Sequence, residues 1–223
     1  MFLFINGYHP QKAKYMLTQT KKVFIVFSAL LAWFALILQF KLSLTLLQGN
    51  YIATIKLFIS FFTVTTNILV AICFTVLWLF PNSNIGRFFS KSTTITAVTV
   101  YIMVVGLIYN FLLRGLVLQS GWAKVADELL HVVTPFLVLI FWMFYANKSG
   151  LKYSNALKWL IYPMGYIIFI VIRGYLINQY PYPFINVAEL GYPKAILNAV
   201  LIVVFFWLLS VLFIFAGKKV SKT

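Results

Sequence analysis

Of 223 residues, 63% are hydrophobic and 9% are charged, and 18 Lys and Arg stand against 3 Asp and Glu. A soluble domain carries about 25% charged residues, so a soluble fold is excluded. The net charge of +15 reflects scarce acids rather than a basic face: the bases cluster at the ends of apolar runs, where they orient the chain and meet headgroups, and nucleic acid is not expected as a partner.

Crossing a bilayer takes about 20 apolar residues as a helix. Six segments reach that length, 23–44, 55–80, 94–113, 125–145, 156–176 and 196–215. They predict helices, because unpaired backbone groups cannot sit in lipid and no segment shows the alternation of a barrel strand. The expected fold class is all-α: a polytopic membrane protein with a single bundle of six transmembrane helices over 1–223. The first segment is too long for the core of a signal peptide, and no small-residue cleavage site follows it, so it reads as a retained anchor.

Segment two carries SFFTVTTNILV. On a helix, Ser60, Thr63 and Asn67 share one stripe, with Thr66 beside them. A membrane Thr commonly bonds its own backbone one turn earlier, and a buried Asn ties helices together. The stripe therefore permits a site without establishing one. Cys73, the sole cysteine, lies in the same segment and has no disulfide partner. Segment three ends GLIYNFLLRG, which puts Gly106, Asn110 and Arg114 on one stripe.

Segment four opens ADELLHVVTP. Asp127 lies four residues before His131 and Glu128 three, so either carboxylate can reach the imidazole and fix its tautomer, as the acid of a hydrolytic triad does. Acids in a first helical turn also suit the helix dipole and can simply face water. Thr134 follows one turn on. Pro135 lacks an N–H, so the carbonyl of His131 should lose its helical partner; a kink, and a water on that carbonyl, are expected. Segment five ends YIIFIVIRGYLINQY, with Arg173 at the level of Arg114. Two arginines at one rim suit a carboxylate or phosphate; the other readings are snorkelling to headgroups and pairing with Asp127, Glu128 or Glu189. The connection NQYPYPFINVAELGYPK holds three prolines and is expected to cap the mouth of the bundle as a semi-rigid segment.

Orientation follows from the bases. Lys12, Lys14, Lys21, Lys22, Arg87, Lys91, Lys148, Lys152, Lys158, Lys218, Lys219 and Lys222 fall on one side, leaving Lys41, Lys56, Arg114, Lys124, Arg173 and Lys194 on the other. The richer side is expected to be cytoplasmic, with both termini inside and the chain a multi-pass protein of the plasma membrane. The intramembrane polar residues then gather in the outer half and are nearly absent from the inner half. That disfavours a through-going pore and favours a pocket toward the outer leaflet.

A hydroxyl nucleophile needs a base and donors for the developing oxyanion. Thr63 or Thr66 can supply the hydroxyl and His131 the base. Asp127 can orient the ring, with Asn67, Asn110, Arg114 or Arg173 in supporting or substrate-binding roles. One His with acids at helical spacing offers too few ligands for zinc. Phosphate-cradling Gly loops and nucleophile elbows are absent, and no cofactor is expected.

With its six segments, FFTVTTN in segment two, LLHVVTPFLVL in segment four and YPYPFINV before segment six, the chain resembles the six-helix membrane proteins related to the androgen-induced and androgen-dependent TFPI-regulating proteins and their bacterial relatives. The likeness covers nearly the whole chain through short motifs. The animal members are threonine hydrolases of fatty acid esters of hydroxy fatty acids, and the resemblance implies Thr63 as nucleophile and His131 as its partner. The expected function is an intramembrane lipid ester hydrolase whose fatty-acyl ester substrate is reached sideways from the outer leaflet. The other expectations are a non-catalytic binding or proton-coupled transport protein that uses Asp127, Glu128 and His131, and a structural subunit whose polar stripes are packing glue.

Overall fold

The computed structural model describes residues 10–220, with side chains described from residue 18 onward. Lys222 lies outside the described residues, and Lys12 and Lys14 contribute backbone alone. In chain order the helices are α1 (Pro10–Leu46), α2 (Tyr51–Phe58), α3 (Phe62–Leu79), α4 (Asn84–Ser90) and α5 (Ser92–Ile108); then α6 (Gly121–Glu128), α7 (Thr134–Phe144), α8 (Ser154–Trp159), α9 (Ile161–Ile177) and α10 (Val187–Val220). Two π-helical turns, Tyr109–Leu113 and Leu129–Val133, extend α5 and join α6 to α7, and a 3₁₀ turn at Pro183–Ile185 precedes α10. Among the described residues there is no strand. Among the described residues six helical spans are long and apolar enough to cross a membrane: Thr18–Leu46, Phe62–Leu79, Ser92–Leu113, Gly121–Phe144, Ser154–Ile177 and Val187–Val220. The chain is an all-α, multi-pass membrane protein.

The apolar segment at 55–80 is not one helix. It breaks at Phe61, whose backbone is extended (φ −95°, ψ 125°). The Ser60 hydroxyl donates to the Lys56 carbonyl, and the Ser60 carbonyl accepts from the Tyr166 hydroxyl at 2.6 Å. Both bonds draw groups away from a continuous helical ladder. Ser60 therefore belongs to a turn and leaves the expected stripe with Thr63 and Asn67. Asn50 starts the short α2 by accepting from the Ala53 N–H at 3.0 Å, a side-chain cap of the usual kind.

Pro135 acts as expected in kind and differently in form. The chain widens into the π turn Leu129–Val133 and restarts as α7 with the proline in its first turn, where the missing N–H costs nothing. The His131 carbonyl accepts from Asn110 Nδ2 at 3.4 Å.

At the centre of the bundle stands α5, packed on α3, α7 and α10, while α1 lies along α3. Its span is 61% buried by protein, against 17% for the span of α8 and α9, which presents most of its side chains outward. Gly106 lets α5 approach closely: a Cβ there would meet the His131 carbonyl oxygen at 3.1 Å and Pro135 Cβ at 3.2 Å. The half of the bundle expected to be nearly apolar buries Thr96, Thr99 and Ser210. Each donates to a carbonyl four residues back at 2.7 Å, which is how a short hydroxyl survives inside a membrane helix.

Candidate active site

One end of the bundle holds a cavity of about 510 Å³, lined among others by Thr63, Tyr109, Asp127, His131 and Tyr182. Four helical segments converge there, and each delivers its side chain for a local reason.

Thr63 sits in the first turn of α3. The residue that starts this helix, Phe61, has no side chain able to cap it. The Val64 and Thr65 N–H groups reach the Phe61 carbonyl at 3.1 Å each. The Thr63 N–H points instead to the Tyr182 hydroxyl at 3.4 Å. Thr63 thus lies at the positive end of the helix dipole, is itself 9% exposed, and opens onto the cavity.

His131 lies in the π turn that Pro135 imposes. Its Nδ1 is 2.9 Å from the Asp127 carbonyl oxygen and 3.0 Å from Asp127 Oδ1. Acceptors on both approaches place the proton on Nδ1 and leave Nε2 as the basic nitrogen. Tyr109, at the start of the other π turn, stacks on the imidazole with ring centroids 3.9 Å apart and planes 15° from parallel. Its hydroxyl donates to Asp127 Oδ2. The imidazole is therefore held at its edge by Asp127 and across its face by Tyr109. Both His131 and Asp127 side chains are mostly shielded, 14% and 17% exposed. A π turn places one more residue per turn than an α-helix and is frequent at functional sites; two of them meet here.

Glu128 turns away from the ring and takes the Arg114 fork at 2.7 and 2.9 Å. The same guanidinium rests 5.2 Å over the Tyr109 ring, and its Nε donates to Asn110 Oδ1 at 2.8 Å. The Glu128 hydrogen bond raises the Arg114 pKa further above its ordinary value. Arg114 is thereby committed within the protein and offers no open fork to a ligand. Arg173 donates to the Gln179 carbonyl at 2.9 Å, beyond the end of α9. Of the readings for the two arginines, pairing with an acid holds for Arg114, whose partner is Glu128.

Asn67 lies behind the cavity wall. Its Nδ2 donates to the Thr63 carbonyl at 2.8 Å and the Leu130 carbonyl at 3.2 Å. This one amide joins the turn that carries Thr63 to the turn that carries His131. Asn110 makes the matching tie on the other flank, donating to the Gly106 carbonyl at 2.7 Å as well as to that of His131. Thr66 is fully buried, and its hydroxyl lies 3.2 Å from that of Tyr162, which also donates to Thr65 at 3.1 Å. Thr66 lines no part of the cavity.

The proline-rich connection folds over the mouth. Tyr182 stacks on Phe184 (5.1 Å, 7°) and meets Phe61 edge-on at 5.9 Å. Burial pushes its phenol pKa up, so the hydroxyl stays neutral and can donate. Tyr182, together with Thr63, Tyr109 and Leu113, also borders a second, narrower slot of about 60 Å³ with almost wholly apolar walls. Among the described residues no three His, Cys, Asp or Glu side chains come together as metal ligands.

Sequence reasoning missed Tyr109 and Tyr182. Tyr109 stands inside the quoted GLIYNFLLRG run, one residue before Asn110, but an aromatic in an apolar run carries no polar signal of its own. Tyr182 stands in the cap segment between Pro181 and Pro183, where a tyrosine has no periodic pattern to place it.

No family model matches the chain, and no curated protein or solved structure matches it.

Proposed function

We propose that the protein is an intramembrane hydrolase of lipid acyl esters, with Thr63 as nucleophile and His131 as general base. The observation that carries this reading is the pairing of His131 Nδ1 with Asp127 at 2.9 and 3.0 Å in a cavity that Thr63 also lines. Nε2 takes the proton from Thr63 Oγ as the oxygen attacks the ester carbonyl carbon. The oxyanion accepts from the Tyr182 hydroxyl and, by displacing the Tyr182 oxygen as acceptor, from the Thr63 N–H at the positive end of α3. The tetrahedral adduct collapses by breaking the bond to the alcohol oxygen, which receives the proton from Nε2. Water then attacks the acyl-Thr63 ester, gives its proton to Nε2, and releases the fatty acid as Thr63 regains its hydrogen. Asp127 and Tyr109 hold the imidazole through both half-reactions. Thr63 is favoured over Thr66 because only Thr63 borders the cavity.

The resemblance drawn from the sequence points the same way, and so does the position of the cavity at one end of the spans. With the base-rich side cytoplasmic, that end meets the outer leaflet of the plasma membrane. The test is hydrolysis of fatty-acyl esters by the purified full chain in detergent micelles. Turnover that falls about 10³-fold or more in both Thr63→Ala and His131→Ala supports the reading; turnover that survives either change refutes it.

A further inference from the structure

We propose that the narrow slot beside Thr63 seats one hydrocarbon arm of the substrate, and that this arm enters from the bilayer through the seam between α9 and α10, past Ile167 and Ile185. The chemical class follows from the walls. The slot is enclosed by Phe62, Val105, Pro163, Ile202 and Phe206 among others; a cavity with such walls stays dry and accepts only apolar matter. The larger cavity on the far side of Thr63 differs in kind, since Gln39, Ser43, Gln119 and Asp127 contribute to its lining. Thr63 stands between the two compartments and borders both. An ester carbonyl at Thr63 Oγ would therefore send one arm into hydrocarbon and the other toward polar groups.

The route follows from a third cavity. An apolar groove of about 440 Å³ runs between α9 and α10 on the outside of the bundle. Ile167 and Ile185 line this groove and also line the slot, so two side chains separate the bilayer from the slot. The seam is a loose one: the span that includes α9 is 17% buried by protein, and Met164, Ile168, Val171 and Ile172 are exposed to the surroundings. In a membrane those surroundings are acyl chains, and the occupant is accordingly an acyl chain of a membrane lipid. Such a chain leaves one hydrocarbon medium for another and gains little from burial. The slot then selects by shape rather than by affinity, and narrowing its entrance should discriminate by chain length.

This inference rests on the hydrolase reading for the ester but not for the hydrocarbon seat, and the experiment separates them. The full chain is reconstituted in phosphatidylcholine vesicles with a palmitoyl ester that bears a diazirine near the chain end, irradiated, and its adducts mapped. Adducts on Ile202 or Phe206 are expected in the wild type, falling about tenfold in Ile167→Trp while those on outward-facing Leu208 stay constant. In parallel, Ile167→Trp should lower kcat/KM for a palmitoyl ester about tenfold more than for a butyryl ester of the same alcohol. Slot adducts without hydrolysis of either ester uphold the seat and refute the hydrolase. Hydrolysis without slot adducts, or an equal fall on both esters, overturns the seat and the route.

Discussion

The two ends of the bundle treat buried polar groups in opposite ways. Away from the cavity, buried polar side chains are satisfied by bonds within and between the helices. Trp142 Nε1 donates to Thr96 at 2.9 Å, and Thr96 passes its own proton to the Ser92 carbonyl. Lys148 caps the chain past α7 by donating to the Met143 and Ala146 carbonyls at 3.0 and 3.1 Å, with its ammonium 5.0 Å over the Trp142 ring. Burial lowers the Lys148 pKa, so these carbonyls and the ring hold a partly desolvated cation. At the cavity end the helices widen into two π turns, and Tyr109, Asp127 and His131 border open space together with Thr63. The difference teaches where to look for chemistry in such a chain. Polar content alone marks neither end; what separates them is whether the polar groups are consumed by the fold.

That contrast sets the scale of what each substitution should do. The largest effect is expected for His131→Ala, about 10⁴-fold in ester turnover with little change in thermal stability. Equal losses of activity from Trp142→Phe would erase the distinction between the ends. Asp127→Asn keeps the shape of the pair but can place an N–H against Nδ1 and favour the wrong tautomer; a fall of about 10³-fold is expected in kcat, with KM unchanged. Gly106→Ala brings a methyl to 3.1 Å from the His131 carbonyl oxygen. It should shift the π turn and lower turnover about tenfold, while the same change at Gly165, which has nothing within 4 Å, should leave turnover as it was. Tyr109→Phe removes the bond to Asp127 but keeps the stack, and should cost a few-fold in kcat; full activity would show that stacking alone positions the ring. The smallest effect on activity belongs to the opposite end. Trp142→Phe should leave turnover intact and lower stability by about 1 kcal/mol through the lost bond to Thr96, read by thermal denaturation in detergent.

Much of the fold was legible because a bilayer demands long apolar helices, and that demand leaves a direct trace in residue order. The pairing of Asp127 with His131 was legible for a similar reason: spacing of four on a helix brings side chains together whether the turn is α or slightly widened. Other features depend on contacts between distant segments. The break at Phe61 arises where Tyr166, more than a hundred positions away, takes the Ser60 carbonyl. The bond from Asn110 to the His131 carbonyl depends on Gly106, which admits the close approach of α5. The choice among the readings for Arg114 also needed a distant contact, since its partner Glu128 stands 14 positions away on another helix. Tyr109 was invisible because its role comes from a π turn, which no local pattern announces.

The central claim is that Thr63, and no other hydroxyl, is the nucleophile activated by His131. The most direct measurement is to label the full chain with a lipid-tailed fluorophosphonate and locate the adduct by mass spectrometry, in wild type, Thr66→Ala and His131→Ala. The account predicts a single adduct on Thr63 in wild type, kept in Thr66→Ala and lost in His131→Ala. An adduct on Thr66, or labelling of Thr63 that persists without the imidazole, would contradict it.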